Sequence, residues 1–202
     1  MTSSDSLQRF LFEHAAIRGE LVHLDATWRA ALERHDYPPA VRGLLGELMA
    51  AAALLSAILK FNGSLTLQIQ GSGPVGLAVV EATSERTLRG MAHWTGEPDP
   101  MPFPALVGEG RFVITIDPRE GGQRYQGIVS LEGDTVSAAL ENYLTRSEQL
   151  AAKRRREHAG RRTGRAVQHQ YRLSGRLADR GVGETQLRHH LAQTSRSLVA
   201  RA

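Results

Sequence analysis

Residues 38–59 read PPAVRGLLGELMAAAALLSAIL, and residues 41–59 are the most apolar stretch of the chain. The stretch is nearly long enough to cross a bilayer, but it contains Arg42 and Glu47, and its flanks are typical of a globular protein. The prolines at its start are tolerated in the first turn of a helix. Apolar side chains would occupy most of the helix circumference, at Leu44, Leu45, Leu48, Leu55, Ile58 and Leu59. We therefore predict a central core helix over residues 41–59.

A shorter amphipathic helix is predicted just before the core helix. Asp25 or Thr27 can cap it, because a short polar side chain at this position accepts a hydrogen bond from a free backbone amide. The helix would run through Trp28 to about residue 35, and the chain would turn at residues 36–38. The expected order is thus an initial strand followed by two helices.

Strands are predicted after the core helix. Residues 65–70 read LTLQIQ, in which apolar and polar residues alternate with the period of a half-buried strand. A turn at residues 71–74 reverses the chain into a second strand over residues 75–81. Later strands are predicted over residues 88–94, 111–116 and 125–131. Asp134 can cap a closing helix that runs through Leu144. The predicted fold class is α+β, with antiparallel sheets packed with a few helices.

Charge divides the chain into two predicted parts. Residues 1–150 contain 12 Lys+Arg and 18 Asp+Glu, whereas residues 151–202 contain 13 Lys+Arg and 3 Asp+Glu. The second part has only three Val, five Leu and one Tyr as bulky apolar residues, which is too little to offset the entropy of ordering it. We predict a folded domain over residues 1–150 and a basic, poorly ordered tail over residues 151–202.

One glycine motif can be interpreted as a dinucleotide-binding loop or as a hairpin turn. Residues 71–76, GSGPVG, satisfy the glycine spacing of a dinucleotide-binding loop. That fingerprint needs a helix whose first turn faces the pyrophosphate, whereas the residues that follow are β-branched and typical of a strand. A hairpin turn is the stronger interpretation.

No catalytic or metal-binding set can be assembled from the sequence. Glu13-His14, Glu132 and Asp134 are candidate acid–base groups, but turns and helix caps explain them more simply. His189-His190 are adjacent in a polar tail, so on a helix they would point about 100° apart and could not bind one metal ion as a pair four residues apart can. We name no catalytic, cofactor-binding or metal-binding residue and predict that the chain is not an enzyme.

The absence of cysteine narrows the chemistry further. With no cysteine in the sequence, disulfides, thiolate nucleophiles and cysteine-based zinc sites are excluded. The first residues lack a basic segment followed by an apolar run, so a secretory signal is not predicted. A cytoplasmic location without a membrane partner is expected.

Several short segments resemble one protein family in the same order along the chain. The amino-terminal segments are RFLFE at 9–13, IRGELV at 17–22 and HDYP at 35–38. The later segments are LKFNG at 59–63, LQIQGSGP at 67–74, RYQGIV at 124–129, LEGDT at 131–135 and RSEQL at 146–150. Together they resemble the amino-terminal domain of the redox-regulated 33 kDa chaperonin (heat-shock protein 33) family. The resemblance covers about residues 7–150.

The resemblance implies an ATP-independent holdase that captures unfolding polypeptides on exposed apolar surface after oxidation. It also implies a carboxy-terminal zinc domain, with four cysteines in Cys-x-Cys and Cys-x-x-Cys motifs, that keeps the protein inactive under reducing conditions. This sequence has no cysteine, and Lys153-Arg154-Arg155-Arg156 stands in place of the family's linker. A zinc domain that folds only with its thiolates bound could not fold here. We expect no cofactor, and hypothesise holding activity that is constitutive and indifferent to peroxide.

The origin of the tail and two other functions stay open at this point. A reading-frame shift after the codon of Leu150 would explain the loss of pattern and family likeness together. The 13 cationic residues of the tail could bind nucleic acid or another polyanion, although only Tyr171 could stack on a base. Alternatively, the chain is an inactive truncated remnant in which tail leucines cover the folded domain, at Leu173, Leu177, Leu187 and Leu191.

The expected partners follow from the resemblance. They are unfolded or partly folded proteins, and the family likeness suggests a homodimer. The client-binding residues are left unnamed, because most apolar side chains in helices and strands belong to the core, and the sequence does not identify those that stay exposed.

Overall fold

A computed structural model describes residues 5–11, 17–59, 61–98, 100–119, 121–148, 151–158 and 169–176. The strands in these residues are β1 (Ser6–Leu11), β2 (Ile17–His23), β3 (Gly63–Gly71), β4 (Val75–Thr83), β5 (Leu88–Trp94), β6 (Gly110–Pro118), β7 (Tyr125–Val129), β8 (Ala151–His158) and β9 (His169–Arg176). The helices are α1 (Ala26–Leu32), α2 (Pro39–Ile58), α3 (Phe103–Val107) and α4 (Val136–Glu148). All strand pairs are antiparallel, and the predicted α+β fold class is confirmed.

Helix α2 is buried between two sheets. It contacts β3, β4 and β5 of one sheet, and β2 and β9 of the other. Twelve of its residues are buried, because apolar side chains surround the helix and both sides must be covered. Within the described residues it is the one helix long and apolar enough to span a bilayer, but 72% of its most apolar window is buried inside the protein. The predicted core helix over residues 41–59 is confirmed.

The larger sheet has five strands in the order β5-β4-β3-β6-β7. Its inner face carries fully buried side chains such as Leu65, Leu67 and Ile69 of β3, which alternate with half-buried polar residues as the sequence predicted. Helix α2 covers this face together with α4, which contacts α2 and β7. The strands predicted after the core helix are confirmed, although β7 ends at Val129 rather than at residue 131.

The glycines between β3 and β4 serve a tight hairpin. A Cβ atom at Gly71 would lie 2.0 Å from the carbonyl oxygen of Val107, so no larger residue fits this close approach. The Gly73 amide donates a hydrogen bond to the same oxygen over 2.9 Å. Residues 72–74 therefore form a turn between β3 and β4 that packs against the end of α3, as the hairpin interpretation predicted.

The smaller sheet has four strands in the order β1-β2-β9-β8 and lies on the other side of α2. There Val22 packs against Ala50 and Leu54, and the buried Glu20 accepts a hydrogen bond from Arg9 over 2.8 Å. Two segments of the tail form β8 and β9. Strand β9 pairs with β2, and β8 pairs with β9. The other residues of the tail lie outside the described residues.

Helix α1 is capped by a residue far away in the sequence. Asp25 occupies its N-cap position but makes no side-chain capping bond. The Asp5 carboxylate instead accepts bonds from the amides of Asp25 and Thr27, over 2.5 and 3.0 Å. Burial raises the pKa of Asp5, but hydrogen bonds from the Thr27 hydroxyl and from the amides of Asp25, Thr27 and Ala26 together lower it below its ordinary value. The prediction that Asp25 or Thr27 caps this helix is therefore wrong.

Helix α4 also receives a distant cap. Thr135 accepts a hydrogen bond from the amide of Ala138 over 3.0 Å, and Glu47 of α2 accepts one from the amide of Val136 over 3.1 Å. Glu47 is only 7% exposed, and its carboxyl group lies at the positive end of the α4 dipole. The prediction that Asp134 caps this helix is wrong, because Thr135 is one residue closer and α2 supplies the second acceptor.

Glu47→Ala is expected to destabilise the protein by about 1–3 kcal/mol, because it leaves the buried Val136 amide without this acceptor. Glu47→Gln keeps a side-chain oxygen and should lose less. Glu97→Ala, in an exposed loop, is the matched control and should stay within about 0.5 kcal/mol of wild type. Urea unfolding followed by circular dichroism measures all three. A loss for Glu47→Ala no larger than that of the control would contradict the tertiary cap.

Candidate functional site

The candidates weighed from sequence do not assemble into a reactive site. Glu132 and Asp134 are exposed in the loop before α4, and Glu13-His14 and His189-His190 lie outside the described residues. Among the residues that the structure describes, no three His, Asp or Glu side chains are grouped so as to hold a metal ion. The zinc site implied by the resemblance needs cysteines, which this sequence does not contain. The residues present do not fit that site, and we assign no role to a metal.

The outer face of the five-stranded sheet carries a row of apolar side chains. The register aligns Met91, Val79, Gln68, Val113 and Ile128 across β5, β4, β3, β6 and β7. Ile128 is 74% exposed and Met91 is 37% exposed, while the two valines are half-buried. Neighbouring strands lie about 4.8 Å apart, so the row is about 19 Å long. We call these five residues the apolar row.

Pairs of adjacent β-branched residues in the sequence indicate this row. Three strands carry pairs of adjacent β-branched residues, at Val79-Val80, Val113-Ile114 and Ile128-Val129. Successive side chains of a strand point to opposite faces, so each pair must place one apolar side chain on each face. The second residue of every pair is buried in the core. The first residue is therefore left on the outer face.

The polar groups beside the apolar row are paired with one another. On one side, Arg89 lies 3.0 Å from the Glu81 carboxylate. On the other side, Arg111 donates a hydrogen bond to the Gln70 side chain over 2.7 Å. Arg89 thus has a carboxylate partner, so a ligand beside it need not bury an unpaired charge, which would be costly. Arg111 is bonded to a neutral amide.

This arrangement can bind apolar polymers rather than perform a reaction. An extended polypeptide rises about 3.3 Å per residue, so about six residues would run the length of the apolar row. Apolar burial is non-directional, so such a surface selects for exposed apolar side chains and not for one sequence.

The fold of the chain is that of a bacterial 33 kDa chaperonin. The crystal structure of the 33 kDa chaperonin (heat shock protein 33 homolog) from Thermotoga maritima matches with a TM-score of 0.67 and 22% sequence identity, covering 81% of this chain and 58% of that chain. At this identity the likeness shows the fold alone.

Sequence comparison identifies the family. The model of the Hsp33 protein family matches residues 5–169, and this chain belongs to that family. Relatives named 33 kDa chaperonin are 53% identical over 151 residues in Methylobacillus flagellatus and 54% identical over 152 residues in Chromobacterium violaceum. Each match covers 74% of this chain and 52% of the relative, so the chain spans about half the length of the curated relatives it matches. The resemblance stated from the sequence is confirmed, and the names describe a chaperone rather than an enzyme.

Ile128→Ser is expected to lower the fluorescence of an apolar dye bound to the native protein, because it removes the most exposed member of the apolar row. Leu11→Ser is the matched control: Leu11 is 76% exposed but lies on β1 of the other sheet. Both variants should unfold within about 0.5 kcal/mol of wild type, since neither side chain is buried. An equal loss of dye binding in both variants would contradict the assignment of the binding surface to the apolar row.

Proposed function

We propose that this chain is an ATP-independent holdase that binds unfolding proteins and prevents their aggregation. The observation that carries the proposal is the apolar row, with Ile128 74% exposed on an open sheet face. Family membership supports it, since the relatives are named 33 kDa chaperonin. The proposal includes cytoplasmic residence and a homodimer, both on the family likeness alone.

The size of the apolar row indicates how tightly it would hold a client. Covering about 200 Å² of apolar surface contributes about 5 kcal/mol before the cost of ordering the bound segment. A contact of this strength is weak and reversible. Weak capture suits a holdase that releases its clients without ATP, because dissociation then needs no energy input.

We further propose that holding does not depend on thiol oxidation and needs no metal cofactor. The sequence contains no cysteine, so it has neither a thiol to oxidise nor the thiolates that a zinc switch requires. The reading-frame shift after the codon of Leu150 stays a prediction, which translation of the adjacent frames of the gene would test.

The proposed activity is tested by light scattering from an unfolding client enzyme at elevated temperature, with moderate salt to screen the basic tail. We expect equal suppression of aggregation after pretreatment with a reductant or with a thiol-specific oxidant. Ile128→Ser should suppress less than wild type, and Leu11→Ser should match wild type.

Three outcomes would count against parts of this proposal. No suppression in either sample would overturn the holdase and leave an inactive remnant. Suppression after the oxidant alone would contradict thiol independence. If Ile128→Ser suppresses aggregation as well as wild type does, clients do not bind on the apolar row.

A second candidate function, binding of single-stranded nucleic acid, is favoured by the register of β8 and β9. Arg155 is the register partner of Arg172. Lys153 and Arg176 occupy the same face of the hairpin by register, opposite to the face on which Val22 of β2 is buried. The 13 cationic residues of residues 151–202 would release phosphate counterions on binding a polyanion.

Fluorescence anisotropy with a single-stranded oligonucleotide tests this second function. Four phosphate contacts predict that affinity falls about 50-fold between 50 and 200 mM salt. Replacing Lys153, Arg155, Arg172 and Arg176 by Ser should abolish most of that dependence. The double variant Arg154→Ser/Arg156→Ser, on the opposite face of β8 by register, should keep most of it. If both variants lose the same amount of salt dependence, the binding depends on net charge and not on one face of the hairpin.

A further inference from the structure

The methionines of this chain differ sharply in their access to solvent. Met91 of β5 is 37% exposed, whereas Met49 of α2 is fully buried. Met101 is half-buried and packs against the core, and Met1 lies outside the described residues. Oxidation of methionine by peroxide follows the exposure of the thioether sulfur. Among the three described methionines, Met91 is therefore the one most open to attack.

Met91 also occupies one end of the apolar row. Its register partner on β4 is Val79, and Arg89 and His93 lie two residues away on the same face of β5. The charge of Arg89 is engaged by Glu81 over 3.0 Å. The thioether is thus one of four apolar groups in the row, and a change in its polarity alters the row directly.

We propose that the Met91 thioether is an oxidation site through which peroxide weakens client binding. This inference rests on the proposed holdase function. One oxygen atom passes from hydrogen peroxide to the sulfur, which loses two electrons and becomes a sulfoxide, while the peroxide is reduced to water. No other co-reactant is needed, and the reaction is reversed by methionine sulfoxide reductases.

The sulfoxide changes the apolar row by its polarity. A flexible apolar side chain becomes a polar group that accepts hydrogen bonds from water. Covering it with an apolar client segment would then leave that acceptor unsatisfied. Peroxide therefore lowers holding in this chain, and the hypothesis of indifference to peroxide applies to thiol chemistry alone.

Peptide mapping by mass spectrometry and the light-scattering assay, run on the same graded peroxide series, test the proposal. Met91 should be oxidised before Met101, and Met49 last. Wild-type suppression of aggregation should fall about threefold or more at full Met91 oxidation, as expected for losing part of one apolar contact, and sulfoxide reductase should restore it. Met91→Leu has no thioether at this position, so its suppression, whatever its level before treatment, should not change across the peroxide series.

The outcomes separate this inference from the function on which it rests. An equal loss in Met91→Leu and wild type, or oxidation of Met101 before Met91, would overturn the role of Met91. If untreated wild type fails to suppress aggregation, the holdase proposal fails instead. Binding of the apolar dye then tests the role of Met91. A loss of dye binding after peroxide in wild type but not in Met91→Leu supports the oxidation site. An equal loss of dye binding in both proteins overturns it.

Discussion

The burial of α2 on both sides is the constraint on which the rest of the structure depends. A helix with apolar side chains around most of its circumference must be covered from two directions, and here a sheet lies on each side. Residues 50–53 are all alanine; Ala50 packs in the cluster with Val22 of β2, and Ala51 and Ala52 lie in the main core cluster. The five-stranded sheet packs one face against the helix and leaves the other face to solvent. The outer face of the five-stranded sheet, and with it the apolar row, is a consequence of this layering.

The sequence predicts the local elements well and the long-range ones poorly. The core helix, the alternation in β3 and the hairpin at residues 71–74 were predictable because each depends on neighbouring residues. The helix caps were not predictable. Asp5 reaches the amide of Thr27, and Glu47 reaches the amide of Val136 across 89 positions. A local rule assigns a cap to the nearest polar residue, whereas the fold supplies an acceptor from another element.

The sequence indicates that three strands are apolar on both faces, but it does not indicate which apolar residues are exposed. The pair Val113-Ile114 shows that β6 must be apolar on both faces, and the pairs in β4 and β7 show the same. A one-residue shift in register would exchange the two faces of a strand, so the sequence alone does not say which residue of each pair is exposed. Only the pairing of five strands brings Met91 and Ile128, from opposite edges of the sheet, into one line with Gln68.

The place of Gln68 at the centre of the apolar row bears on how such a surface distinguishes its ligands. The amide divides the row into two apolar pairs, Met91 with Val79 and Val113 with Ile128, each smaller than the contiguous patches that mark stable interfaces. A folded protein that offers one apolar side chain could cover one pair. An extended chain with apolar residues several positions apart could cover both at once, and its second contact would form at a high effective concentration. Under the proposed function, the polar centre thus favours unfolded chains over folded surfaces and limits association of the sheet with itself.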